Sequence, residues 1–115
     1  MKQIYFGELF MMSAELIPAM TDRIVRGFDP LRVILFGSHA RGDADSHSDI
    51  DFLVVLPHVK NKRQVAIEIR RTLSDFPIGK DIVVTTPDEI ARLGNLVGTV
   101  LRPALQEGRV IYERN

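Results

Sequence analysis

Hydrophobic and polar positions follow two alternating periods along this chain. Leu16, Met20, Ile24 and Phe28 recur at fourfold spacing and predict a helix over about 15–28. Pro18 falls in its first turn, where a helix tolerates proline. After the turn signal Asp29-Pro30 comes the continuous apolar run Val33-Ile34-Leu35-Phe36, the pattern of a strand covered on both faces. A polar stretch, GSHARGDADSHS, separates it from a second strand running from Asp49 to Leu56 and stopped by Pro57. Val65, Ile69, Leu73 and Phe76 predict the buried stripe of a helix over 62–76, with Lys62, Arg63, Arg70 and Arg71 outside. A third strand is expected over Lys80–Thr85. Thr86-Pro87-Asp88-Glu89 opens a short helix with a capping box, and Gly94 ends it. A further helix over 96–107, kinked at Pro103, and a short last strand at Val110-Ile111-Tyr112 complete the pattern.

This order of elements predicts one α/β domain, a small mixed sheet of three to four strands with covering helices. Residues 1–14 are an N-terminal extension without assigned structure, and 15–115 form the domain. Tyr5, Phe6, Phe10 and Met11 at one end and Val110 to Tyr112 at the other are apolar positions that a small core leaves available to a partner or to a homo-oligomer contact.

Composition narrows the function classes. Fifteen Lys and Arg balance fifteen Asp and Glu, so the formal net charge is zero. A protein that holds nucleic acid by electrostatics is usually basic, so stable nucleic-acid binding is not expected. There is no cysteine, which excludes disulfides and thiolate metal sites. The apolar N-terminus is interrupted by Glu8 and Glu15 and is too short to span a bilayer. A cytoplasmic protein is expected. His39, His47 and His58 are spaced like no compact zinc motif.

The chemistry concentrates in three places. Asp49 and Asp51 stand two apart at the opening of a strand, where alternate side chains share a face. Aspartate is depleted in strands. Two carboxylates on one face repel each other, and a bound divalent cation is a physical reason to keep them together. Asp81 stands early in the third strand. Gly37-Ser38 directly follows the first strand, where a glycine permits close backbone approach and a helical turn offers free N–H groups to phosphate. Arg41 lies in the same loop, and its fork suits phosphate oxygens.

The segment FGSHARGDADSHSDIDFLVV resembles the nucleotidyltransferase superfamily that includes DNA polymerase β, and within it the small stand-alone branch, the minimal nucleotidyltransferases. Gly37, Ser38, Gly42, Asp49 and Asp51 match the family pattern, and Asp81 falls where its third carboxylate is expected. The resemblance implies a Mg²⁺-dependent enzyme that uses ATP and two metal ions held by Asp49, Asp51 and Asp81, with Gly37, Ser38, Arg41 and Gly42 around the nucleotide. It also implies a role as the antitoxin of a type VII-like toxin–antitoxin pair. In such pairs AMP is transferred to a tyrosine of a HEPN-domain toxin encoded by a neighbouring gene. Two readings compete: a non-catalytic antitoxin that neutralises its partner by binding, and transfer to a small molecule such as an aminoglycoside. The three retained carboxylates weigh against the first. The short chain, which makes no closed pocket of its own, weighs against the second.

Overall fold

The computed structural model describes the backbone from Phe6 to Asn115 and the side chains from Glu15 onward. The elements run α1 (Phe6–Phe28), β1 (Arg32–Phe36), α2 (Ser38–Arg41), β2 (Ile50–Val55), α3 (Lys62–Thr72), β3 (Lys80–Thr85), α4 (Pro87–Leu93), α5 (Leu101–Glu107) and β4 (Arg109–Glu113). The four strands form one sheet in the order β3-β2-β1-β4. β1 is antiparallel to both β2 and β4, and β2 is parallel to β3. The mixed α/β sheet expected from the sequence is therefore the fold.

The sheet separates two apolar layers. On one face Val33, Leu35, Ile50, Phe52 and Val54 pack with Met20 and Ile24 of α1 and Ile69 and Leu73 of α3. On the other, Ile34, Leu53 and Val55 meet Leu101 and Ala104 of α5, with Ile90 and Leu93 of α4 at the margin. β2 is central and covered on both sides, so its apolar run is unbroken from Phe52 to Val55. Each large side chain buried this way contributes about 1.5–3 kcal/mol relative to exposure. The predicted stripes of α1 and α3 are the ones that pack into this core.

Local chemistry sets the helix ends. Asn61 caps α3, its Oδ1 accepting from the Gln64 N–H at 3.0 Å. Thr86 caps α4, its Oγ1 accepting from the Glu89 N–H at 3.2 Å. The reciprocal arm of the expected capping box is absent, because the Glu89 carboxylate accepts from Thr85 Oγ1 at 2.7 Å and pairs with Lys62. That arrangement joins α3, β3 and α4.

Three helix boundaries differ from the sequence expectation. α1 begins at Phe6, so Pro18 lies inside the helix and not in its first turn. Pro18 is exposed, which lets water serve the carbonyl that the missing N–H leaves free. α3 ends at Thr72, and Leu73 to Phe76 continue as turns that still reach the core. α5 begins at Leu101, so Pro103 sits in its first turn, where it needs no kink. Tyr5 lies outside the described residues, as do the side chains of Phe6, Phe10 and Met11. No helix among the described residues is long and apolar enough to cross a membrane.

Candidate active site

The strand pairing gathers the predicted residues at one end of the sheet. The last residue of β1, Phe36, lies opposite Asp51. Asp51 in turn lies beside Asp81 in the parallel β2–β3 pair. Side chains of neighbouring strands in register share a face, so Asp51 and Asp81 project together. Their face is the one that carries Leu53, Val55 and Val83 and meets α4 and α5 further along. Asp49 precedes β2, which starts at Ile50 and not at Asp49 as expected.

Two glycines make room for two of these carboxylates. A Cβ on Gly37 would stand 2.0 Å from Asp51 Oδ2, and one on Gly79 would stand 1.9 Å from Asp49 Oδ1. Gly37 also adopts φ 74° and ψ −156°, a conformation open essentially to glycine alone. The backbone therefore lies against the carboxylates where any side chain would displace them. The Ile50 N–H donates to the Gly79 carbonyl at 2.9 Å, which fixes the second approach.

From Gly37 the chain enters the single helical turn α2, Ser38–Arg41. The Ala40 and Arg41 N–H groups donate to the Gly37 carbonyl at 3.1 and 3.0 Å, and Gly42 ends the turn at φ 86°. The first N–H groups of such a turn have no partner within it, and Ser38 is its first residue. His39 Nε2 lies 3.3 Å from the Ser48 carbonyl and so ties the turn to the loop ahead of Asp49. In that loop the Asp45 carboxylate accepts from the His47 N–H at 2.8 Å. That bond holds the Asp45 carboxyl below the ordinary carboxylate range.

The carboxylates sense one another. Burial pushes the Asp51 carboxyl above its ordinary range, and the charges of Asp81 and Asp49 push the same way; His39 and Arg41 oppose the shift. Arg41 has two acidic neighbours: its Nε donates to Asp43 Oδ2 at 3.2 Å, and its Nη1 lies 3.5 Å from Glu107 Oε2. The hydrogen bond to Asp43 comes first among the causes that raise the Arg41 guanidinium further above its usual range.

Among the described residues, no three His, Cys, Asp or Glu side chains gather closely enough to hold an ion by themselves. Mg²⁺ does not require such a cage, since it binds through one or two carboxylates, substrate phosphates and waters. The donor set fits that ion: hard oxygen ligands, a carboxyl whose pKa is raised by burial and by neighbouring negative charge, and glycines that leave the carboxylates room. Of the three histidines, His39 belongs to the α2 turn, His47 is exposed in the loop ahead of Asp49, and His58 is exposed beyond the far end of β2.

Gly79 and Glu107 belong to this region and escaped the sequence reading. Gly79 had a signal, a glycine one residue ahead of the strand that carries Asp81. Glu107 had none, because only the folded sheet brings the end of α5 to Arg41. Asp49 and Asp81 are exposed, and Asp51 is partly buried. A pocket of about 330 Å³ lies behind the α2 turn, lined by Ile17, Leu35, His39, Gly42, Arg109 and Ile111, none of them a carboxylate. Asp49 and Asp81 therefore face solvent.

Comparison with known proteins agrees with this fold. The chain is 39% identical over 57 residues to a candidate protein adenylyltransferase of Methanocaldococcus jannaschii; the match covers 47% of this chain and 54% of that protein, about half its length. A nucleotidyltransferase candidate from Sulfolobus solfataricus, solved by crystallography, superposes with a TM-score of 0.65 at 23% identity, covering 98% of this chain and 91% of that one. A crystallised toxin–antitoxin with AMP-PNP superposes with a TM-score of 0.56 at 20% identity, covering 87% of this chain and 76% of that one. At these identities the two structures speak for the fold. The family model of the nucleotidyltransferase domain matches residues 20–110, which takes in Gly37, Asp49, Asp51 and Asp81, and the chain belongs to that family.

Proposed function

We propose that this protein transfers AMP from ATP to a protein hydroxyl, with Mg²⁺ held by Asp49, Asp51 and Asp81. The observation that carries this reading is the register of Asp51 beside Asp81 on one sheet face, with Asp49 two residues ahead of Asp51 and Gly37 packed against the Asp51 carboxylate. Mg²⁺ bound there supplies charge neutralisation for the triphosphate. Ser38 and the N–H groups of the α2 turn hold the outer phosphates, and Arg41 adds a cation beside them. The acceptor oxygen attacks the α-phosphorus, the bond from that phosphorus to the bridging oxygen of the β-phosphate breaks, and pyrophosphate leaves. Asp81 takes the hydroxyl proton. Most of the acceleration comes from positioning and charge stabilisation.

The open surface around Asp49 and Asp81 supports a macromolecular acceptor over a small molecule, which needs an enclosing pocket. The relative from Methanocaldococcus jannaschii, by its name a candidate protein adenylyltransferase, supports a protein acceptor. The structural neighbour crystallised as a toxin–antitoxin with AMP-PNP supports a nucleotide and a toxin partner. The acceptor proposed is a tyrosine of a HEPN-type toxin encoded beside this chain, which acts as its cytoplasmic antitoxin.

Co-expression with the neighbouring gene, followed by intact-mass measurement of both chains, tests the reading. The partner is expected to gain one or more AMP units, and the gain is expected to vanish with Asp51→Asn. A partner that co-purifies at unchanged mass with the wild-type protein overturns it and leaves neutralisation by binding.

A further inference from the structure

α3 presents a second stripe beside its buried one. Arg63, Ala66, Ile67 and Arg70 recur at helical spacing and form one wall of a groove completed by Asp81 and Ile82 of the edge strand β3. One wall of the groove is thus basic and its floor is apolar; its far side is the edge of β3 at Asp81, whose carboxylate stands on the opposite face of the sheet with Asp51. Ile67 is 41% exposed at its centre, unlike Val65 and Ile69 on the neighbouring stripe.

The cations here lack acidic partners. Arg23, Arg26, Arg41, Lys62, Arg92 and Arg114 each lie within 4.0 Å of a carboxylate. Among the described residues no such pair involves Arg63, Arg70, Arg71 or Lys80. Arg70 is held in place by its Nη2, which donates to the Lys80 carbonyl at 2.9 Å. Lys80 is held by its Nζ, which donates to the Phe76 carbonyl at 3.0 Å. Burial lowers the Lys80 pKa, the Arg70 charge lowers it further, and the Asp75 charge opposes the shift. The nearby acids are engaged elsewhere: Asp75 pairs with Arg23, and Glu68 accepts from Gln64 on the far side of α3. Fixed like charges that repel one another are relieved by an anionic partner.

We infer that this groove docks an acidic segment of the acceptor protein, which then rounds the edge strand β3 to bring its hydroxyl to Asp81. The inference rests on the adenylyl-transfer reading for the hydroxyl, but the docking itself does not require transfer. The apolar floor of Ala66, Ile67 and Ile82 suits a peptide, and the zero net charge of the chain disfavours a nucleic-acid strand, which gains from basic surface well beyond one groove.

Two fluorescent peptides test this by anisotropy titration, one with a tyrosine flanked by glutamates and one with the same tyrosine flanked by lysines. The acidic peptide is expected to bind at least about tenfold more tightly and to weaken with salt. An Arg63→Glu/Arg70→Glu double variant is expected to lose that preference while its ATP affinity stays unchanged. Arg63→Gln/Arg70→Gln, which adds no repulsion, is expected to fall between. Equal binding of the two peptides, or an unaltered preference in the double variant, overturns the inference. Tighter binding of a single-stranded RNA oligonucleotide through the same arginines overturns it in favour of nucleic acid. Transfer from ATP is read in the same samples. Preferential acidic binding without labelling keeps the groove and removes the adenylyl-transfer reading. Labelling of both peptides at equal affinity keeps transfer and removes the groove.

Discussion

β2 has two faces that are used differently. Toward α1 and α3, Ile50, Phe52 and Val54 are all fully buried, from the first residue of the strand to the last turn of packing. Toward α4 and α5, the strand begins with a carboxylate, Asp51, and becomes apolar only at Leu53 and Val55. The helices match this difference. α1 and α3 are long, whereas α4 and α5 have seven residues each and cover only the apolar end. One face holds the domain together over its full length, and the other leaves half of its length uncovered, where the candidate carboxylates stand. Damage on the first face should therefore cost stability, and damage on the second should cost activity at little cost in stability.

The largest effect expected is on the closed face. Phe52→Ala removes a fully buried ring at the centre of the sheet and should destabilise the protein by about 3–5 kcal/mol, measured by urea denaturation. A loss under about 1 kcal/mol would mean that the two faces do not differ as described.

On the open face, Asp81→Ala should lower kcat for AMP transfer by about 100-fold while ATP affinity changes little, because a group that meets the attacking hydroxyl acts mainly in the transition state. Its melting temperature should be near that of the wild type. Weakened ATP binding with unchanged kcat would place Asp81 on the triphosphate side.

The glycines sharpen the comparison. Gly37→Ala introduces both a strained backbone and a clash with Asp51, and it should cost about 1–3 kcal/mol of stability together with activity. Gly79→Ala meets only the movable tip of Asp49, so it should lower transfer by about tenfold with nearly full stability. Gly27→Ala, with nothing within 4 Å, is the control and should stabilise α1 by about 0.5–1 kcal/mol. Thermal melts and transfer rates on the three variants separate these outcomes.

The smallest effect is electrostatic. The Asp51 carboxyl is held above its ordinary range by burial and by Asp81 and Asp49, so its ionisation costs the folded state. That cost is absent below the ordinary carboxylate pKa and complete above the raised one. In metal-free buffer Asp51→Asn should therefore raise the melting temperature at neutral pH, and the gain should fade as the pH falls through about 4. Asp51 is partly exposed, so the gain should be about 1–2 °C. A variant that melts lower than wild type at pH 7 would contradict mutual repulsion.

Much of this contrast was legible in the sequence, for stated reasons. Asp49-Ile50-Asp51 before an apolar run announces a strand whose two faces differ, because alternation is a property of any strand. The stripes of α1 and α3 were equally plain at 3.6 periodicity. Residues whose role depends on distant backbone were not legible. Nothing near Gly79 says that Asp49 will lie over it, and nothing near Glu107 says that it will meet Arg41. Pro18 misled for a related reason: its cost inside a helix depends on whether water reaches the freed carbonyl, which only the folded surface decides.

Nucleotidyl transfer is proposed for the carboxylate end of the sheet. Its most direct measurement incubates the purified protein and its co-expressed partner with Mg²⁺ and ATP radiolabelled at either the α- or the γ-phosphate. Label should reach the partner from the α-position only, should disappear with EDTA, and should be absent with a folded Asp51→Asn variant. Label arriving from the γ-position, or from the α-position at the wild-type rate with Asp51→Asn, would contradict the account.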